Sequence, residues 1–408
     1  MSVYSNGNVK TRLLEPANYN ENISAEFRIT QACLPNLRLI DVGAKNNQDI
    51  QYNSLIGAYG CLRSVMLYSG QMLLDGTPNI AQYIAFRKYN KPNAVNRAMS
   101  RLLTRNQQGY KVDAFNVLNQ TPTVDNQSGE TDAKTTLAYV SVSEYCPLLN
   151  KLNVLDPAEY KNLRLVIEFE PDRNAWLSQD DSTSHTTARP RLVMDILEPG
   201  SWNPNPATIA WNAIESDRFE CAALAVDEVK EQSNVNRLNG FNSKLVGRIL
   251  ITKNLKALTE NFTANDINGF GRYASHAQSA EQIQITVNGA QQLPRNGVQG
   301  SGNRQLSMLN DTWGECNTIP YGNCLGVPGQ AGDGNWADPV KAYIGQQSYF
   351  GMFVNKRVKD FQVSLTRTGL IDNTGGVNPT NSALSCIVYA EISKSIVNQG
   401  GTINVVYN

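Results

Sequence analysis

In the stretch LRLVIEFE, from Leu163 to Glu170, every second residue from Leu163 is apolar, and the residues between are polar except for Val166. Because successive side chains of a β-strand point to opposite faces of the sheet, this alternation predicts a strand with one buried and one wet face. The same period of two recurs in AEFRIT at 25–30, QIQITV at 282–287 and FQVSLT at 361–366, and TINVVY at 402–407 is also strand-like. Such strands form sheets that pack face to face, so the pattern predicts an all-β protein.

Two turns predict hairpins. Asn288-Gly289 directly follows an alternating strand, and both residues suit a tight turn that needs positive φ. Ser69-Gly70 lies similarly between two apolar runs, VMLY at 65–68 and QMLL at 71–74. Neighbouring antiparallel strands are therefore expected at both places.

Two short helices are predicted near Pro78 and Pro92, because proline suits the first turn of a helix. The first runs from about Asn79 to Tyr89, with Ile80 and Ile84 on one side. The second has an apolar stripe formed by Val95, Met99, Leu102 and Leu103. Its other face is basic and carries Arg97, Arg101 and Arg105. We expect the basic face of this second helix to be a solvated surface that covers one end of a β-sandwich.

The length of 408 residues predicts two domains of roughly 200 residues each. Hairpins and strands recur in the same order in both halves, about 200 residues apart, which is the size of a whole β-domain. Between them lies PGSWNPNP at 199–206, whose prolines and glycine break strands. We therefore predict a first domain at 1–198, a linker at 199–206 and a second domain at 207–408.

Composition excludes several classes of function. Lys plus Arg and Asp plus Glu are equal at 36 each, so net charge favours neither nucleic acid nor an anionic membrane. No apolar run is long enough to span a bilayer, and residues 1–14 lack the apolar centre of a signal peptide. We expect synthesis in the cytosol, with all seven cysteines reduced.

Residues suited to chemistry are sparse. The two histidines, His185 and His276, lie in polar stretches without a nucleophile motif. Cys316 and Cys324 lie in one loop region without further zinc ligands nearby. The glycine-rich segment at 329–334 lacks the Gly-Lys-Ser/Thr ending of a phosphate loop. We predict no catalytic, cofactor-binding or metal-binding residue, and thus not an enzyme.

Three segments resemble the double jelly-roll major capsid proteins of icosahedral double-stranded DNA viruses, especially polinton-like viruses, virophages and nucleocytoplasmic large DNA viruses. They are 23–41, 56–71 with its hairpin, and the closing strands at 387–407. The resemblance implies two tandem eight-stranded antiparallel jelly rolls with a few short helices. It also implies a homotrimeric, pseudo-hexagonal capsomer that tiles an icosahedral virion shell and contacts minor capsid and vertex proteins.

The principal alternative is a carbohydrate-binding or adhesion β-sandwich, in which loops at 321–336 and nearby Trp313 offer aromatic platforms for sugars. A minor or vertex capsid protein is a nearer alternative, and a β-sandwich hydrolase is a distant one. A further hypothesis concerns Arg97, Arg101 and Arg105: if their helix faces the particle interior, they would meet an internal membrane or the packaged genome.

The cysteines give a first test. Thiol titration of the denatured, unreduced protein is expected to find all seven cysteines free, because they lie mostly in apolar runs of a protein made in the cytosol. A stable bridge between Cys316 and Cys324 would contradict this prediction.

Overall fold

The structure is a computed structural model. It describes residues 9–45, 50–52, 57–89, 136–170, 176–178, 186–224, 231–256, 281–294, 298–299, 303–314, 349–368, 383–399 and 401–408. The second predicted helix, with Arg97, Arg101 and Arg105, lies outside these ranges. So do His185, His276, Cys316, Cys324 and the glycine-rich segment.

Two groups of strands follow each other along the chain. The first comprises β1 (Val9–Leu14), β2 (Asn18–Asn20), β3 (Ser24–Arg28), β4 (Arg38–Lys45), β5 (Ile50–Tyr52), β6 (Leu62–Ser69), β7 (Met72–Asp75), β8 (Thr136–Ser141), β9 (Leu163–Phe169), β10 (Trp176–Ser178), β11 (Thr186–Thr187) and β12 (Arg191–Leu197), with helix α1 (Ala81–Tyr89) after β7. The second comprises β13 (Thr208–Cys221), β14 (Glu231–Arg237), β15 (Leu245–Leu255), β16 (Glu281–Val287), β17 (Ala290–Gln291), β18 (Val298–Gln299), β19 (Phe350–Arg357), β20 (Phe361–Thr368), β21 (Leu384–Gln399) and β22 (Thr402–Tyr407), with helix α2 (Asn303–Trp313) before β19. Short 3-10 helices span Gly57–Cys61, Val142–Glu144, Pro147–Asn150 and Asn239–Phe241.

Each half forms two antiparallel sheets with one strand order. In the first half β1-β12-β4-β8 faces β3-β9-β6-β7, and in the second β13-β21-β15-β19 faces β14-β20-β16-β17. The opening strand of each half thus pairs with a strand from the end of that half, β1 with β12 and β13 with β21, as in a jelly roll. Short strands extend the sheets, and β5 and β10 form a separate pair. The predicted fold of two eight-stranded jelly rolls is confirmed.

The predicted strands bury the faces that their alternation indicates. In β9 the residues Leu163, Leu165, Ile167 and Phe169 are buried, and the residues between them are less so. Asn288 and Gly289 both have positive φ, at 53° and 78°, and join β16 to β17. The hairpin at Ser69-Gly70 joins β6 to β7. Local pattern therefore predicted these elements correctly.

The region between the halves contains no strand or helix from residue 198 to residue 207. A large apolar cluster runs through both halves, since it joins Leu39 and Phe27 of the first to Trp211, Leu250 and Tyr389 of the second. The division into domains at 1–198 and 207–408, with its linker at 199–206, stays a prediction.

Helix α1 forms where the first helix was predicted. The predicted solvated face over one end of a sandwich belongs to the second helix, which lies outside the described ranges. Ile80 and Ile84 are buried as expected, while Tyr83 and Phe86 are buried against the second half. The helix has two apolar sides because it lies between the jelly rolls. Helix α2 was not predicted, although Leu306, Leu309 and Trp313 follow the spacing i, i+3, i+7.

No disulfide joins the described cysteines, and all five are buried: Cys33, Cys61, Cys146, Cys221 and Cys386. Burial raises the pKa of Cys33 to about 12 and that of Cys146 well above its ordinary value. These thiols are inert, buried side chains.

Replacing Gly351 by Ala is expected to lower the free energy of unfolding by about 1–3 kcal/mol. A Cβ there would lie 2.7 Å from Trp313 Cδ1 and 2.8 Å from Leu309 Cδ1, so α2 would have to shift. Gly247→Ala on neighbouring β15 is the control, because its nearest neighbour would be 3.6 Å away. Equal thermal midpoints for the two variants would contradict this account of how α2 packs.

Candidate assembly interface

The contact between the two jelly rolls, called the seam, begins where β7 ends. Gly76 has a φ of 131°, and a Cβ there would lie 2.6 Å from the Val65 carbonyl oxygen, so the chain turns where only glycine fits. The following residues bond to the second jelly roll. The Thr77 hydroxyl donates to the Ile214 carbonyl, and Ser216 Oγ donates to the Pro78 carbonyl at 3.3 Å.

Helix α1 continues this contact with aromatic side chains. Tyr83 lies 5.7 Å from Trp313 and 5.6 Å from Tyr389, measured between ring centroids. Phe86 lies 6.0 Å from Trp313 and 4.9 Å from Tyr349. Tyr389 also donates a hydrogen bond of 2.7 Å to the Asn79 carbonyl. Aromatic pairs of this kind contribute about 0.5–1.5 kcal/mol each beyond area burial, so the cluster holds the two halves in one orientation.

Arg248 ties α2 to this cluster. Its guanidinium lies 4.0 Å from the centroid of the Trp313 ring and donates to the Thr312 carbonyl at 2.8 Å. It also makes a bidentate pair with Glu391, at 2.7 and 3.1 Å. A two-pronged, half-buried pair is geometrically specific, so it fixes the end of α2 on β15 and β21.

A buried carboxylate lies at the seam beside these contacts. Asp75 is 2% exposed, and its Oδ2 accepts a 2.7 Å hydrogen bond from the Leu148 amide. Burial raises the pKa of Asp75 to about 6, although nearby Lys394 of β21 opposes the shift. Lys394 is itself paired with Glu215 at 2.7 Å, and Glu215 with Lys244 at 2.5 Å. The seam thus contains a carboxyl group whose charged form is disfavoured.

The segment before β13 is also held against the first jelly roll. The Asn205 side chain accepts from the Asn153 amide at 2.8 Å and donates to Val154 O and Glu159 Oε2, both at 2.8 Å. Asn398 of β21 donates to Glu159 Oε1 at 3.4 Å. The connection between the halves is therefore anchored at several points.

Sequence reasoning placed no functional residue in the seam. Trp313, proposed above as a sugar platform, occurs there in another role: it is 2% exposed, so its ring is no open platform. On α1, Arg87 donates to Tyr83 Oη at 3.3 Å. The aromatic pair at positions 83 and 86, on a helix already apolar at 80 and 84, was a signal that α1 has two buried sides.

The described ranges contain no cluster of three or more His, Cys, Asp or Glu side chains that could hold a metal ion. Within the same ranges, neither helix is long and apolar enough to cross a membrane.

Stability is expected to rise as pH falls through about 6, because folded Asp75 binds its proton more tightly than the unfolded chain does. This contribution is complete below the ordinary pKa of 3.8 and is lost as pH rises through about 6. The shift corresponds to about 3 kcal/mol between the two limits. Asp75→Asn should remove that part of the pH dependence of the free energy of unfolding, measured by urea denaturation.

Glu198→Gln is the matched control, since Glu198 lies on the surface in an exposed pair with Lys10. It should change the slope of stability against pH very little. Parallel curves for the wild type and Asp75→Asn would contradict the assignment to Asp75.

No protein-family model and no curated protein matches the sequence. Solved structures do resemble it. VP54 of PBCV-1, fitted into a reconstruction of the virophage Sputnik, aligns with 100% of this chain and 99% of its own at a TM-score of 0.57 and 12% identity. A chain of the PBCV-1 virus capsid aligns over the same shares of both chains, with a TM-score of 0.56 and 11% identity. A chain of the Sputnik virophage aligns with 98% of this chain and 88% of its own, with a TM-score of 0.58 and 14% identity. These likenesses establish the shared fold.

Proposed function

We propose that this chain is a major capsid protein, which forms a homotrimeric, pseudo-hexagonal capsomer and tiles an icosahedral virion shell. The observation that carries the proposal is the fold, with two jelly rolls of the same strand order joined by a well-packed seam. Its full-length likeness to a chain of the PBCV-1 virus capsid supports the same role.

The physical argument concerns side walls. Two similar units in one chain, repeated three times around an axis, present six similar walls, as hexagonal tiling requires. Units that rotated freely would present no constant outline, so the seam is essential to this role. The chain carries no net charge, which limits repulsion between many copies. The role is structural, and no catalytic step is proposed.

The partners we propose follow from that role. They are other copies of the chain, minor capsid proteins and vertex proteins, and the site of action is the virion after synthesis in the host cytoplasm. A contact of Arg97, Arg101 and Arg105 with an internal membrane or the packaged genome remains a weaker proposal, on residues outside the described ranges.

Two alternatives stay open. A carbohydrate-binding or fibre-like adhesion protein would use loops at 321–336, which also lie outside the described ranges, but it loses Trp313 as a platform because that ring is buried. A minor or vertex capsid protein would share the fold and differ in copy number. Quantitative mass spectrometry of purified particles distinguishes this second case.

Purified full-length protein is expected to behave as a stable trimer of three times 45.0 kDa in light scattering after size exclusion. Electron micrographs of the peak should show compact particles with a pseudo-hexagonal outline, because each copy supplies two similar walls. A monomer that binds glycans would contradict the proposal and favour the adhesion protein.

A further inference from the structure

A groove of about 490 Å³ lies on the sheet β13-β21-β15-β19, on the face turned away from the core of the second jelly roll. Glu391 and Ser393 line it, and they alternate along β21 with the buried core residues Ala390 and Ile392. Asn212 of β13 lies at the same level of the sheet, because it pairs with Ser393. The groove therefore crosses the outer surface of the sheet next to the seam.

The sheet is irregular at the floor of this groove. The pairing of β15 shifts register at Gly247 against both neighbouring strands, β19 and β21. On β19, Asn355 has the left-handed φ of 48°. Such bulges redirect side chains and increase the local twist. The groove thus results from these irregularities in the strands, and Gly247, which has no side chain, lies at its floor.

The charges in the wall of the groove are paired, so the wall carries no net charge. Arg248 and Glu391 satisfy each other there, and Arg248 is stacked on Trp313 of the seam. The other polar lining residues are amides and a hydroxyl: Asn212, Asn355 and Ser393. A second protein surface could cover this wall without burying an unpaired charge, which would be costly. It would also lose little freedom in the wall, because the wall is already ordered.

Phe353 stands at the edge of the groove and is 51% exposed, although Met352 and Val354 beside it are buried. A large aromatic ring beside a concave, ordered site has the features of an energetic centre in a protein contact. The seam lies on the other side of Arg248, so this surface continues an interface that already joins a first jelly roll to a second one.

The closed arrangement of three copies determines which surface meets the groove. Within one chain the first jelly roll contacts the second, so between copies the second must contact the first of the next copy, through two different surfaces. At the edge of the sheet β1-β12-β4-β8 in the first jelly roll, strand β1 presents Val9 and Leu13 on one face, at 39% and 47% exposure. Among the described residues β1 pairs on one side only, with β12.

We propose that the groove beside Phe353 receives the apolar face of β1 from a neighbouring copy of this chain. This inference rests on the proposed trimer and names the contact that closes it.

The test uses the full chain with Phe353→Ser and, separately, Leu13→Ser, followed by sedimentation equilibrium over a range of concentrations. Each variant is expected to weaken trimer association on the order of tenfold or more, since each removes an apolar anchor. The double variant should weaken it less than the product of the two, because the residues share one contact. Val235→Ser, on the opposite sheet and 63% exposed, is the matched control and should leave the trimer intact.

A second measurement reports on access to the groove. A cysteine introduced as Asn212→Cys should react with maleimide more slowly in the trimer than in the dissociated chain, as read from its own peptide by mass spectrometry. Equal rates would overturn the proposal, because the groove would then be open to another occupant such as a saccharide.

The outcomes separate the two proposals. A wild-type chain that stays monomeric at all concentrations overturns the proposed function and this contact with it. A wild-type trimer that Phe353→Ser or Leu13→Ser leaves unchanged overturns only this contact. Thermal unfolding of each variant confirms that a weakened trimer consists of folded chains.

Discussion

The burial of α1 between the two jelly rolls is the interaction on which the rest of the structure depends. Each jelly roll buries its own apolar faces, but that leaves the orientation of the two units undetermined. Tyr83 and Phe86 determine it, since they pack on aromatic rings of the second half, while Ile80 and Ile84 are buried in the apolar cluster that joins both halves. Because interiors are close-packed, such an interlocked contact resists sliding or rotation.

The seam combines apolar packing with a few buried or half-buried charged groups that need partners. Arg248 is fully engaged by Glu391, Thr312 and the Trp313 ring, so its charge is compensated where it is half-buried. Asp75 is different, because burial outweighs the attraction of Lys394 and raises its pKa to about 6. Such a buried carboxylate lowers the stability of the folded protein at neutral pH. Its hydrogen bond to the Leu148 amide nevertheless supports the turn that leads into α1. The same residue thus shapes the seam and makes it sensitive to pH.

The proposed role in a shell depends on the shape of surfaces and needs no catalytic group. The groove beside Phe353 depends on a bulge at Gly247 and on a left-handed Asn355, features that alter the shape of a sheet edge. Its polar lining consists of the paired Arg248 and Glu391 together with neutral amides and a hydroxyl. Such surface features follow from strand pairing and backbone conformation, which short sequence motifs do not describe.

The sequence by itself determined the strands, their buried faces and the turn at Asn288-Gly289, because period-two burial and positive φ are local properties of a few neighbouring residues. The resemblance to known capsid proteins supplied the number of strands and the doubled jelly roll. Only the tertiary structure decided that α1 lies in the seam, that α2 covers Gly351, and that Asp75 is buried beside Lys394. These depend on contacts between residues far apart in the chain, and helix periodicity alone does not reveal which surface a second apolar side will meet.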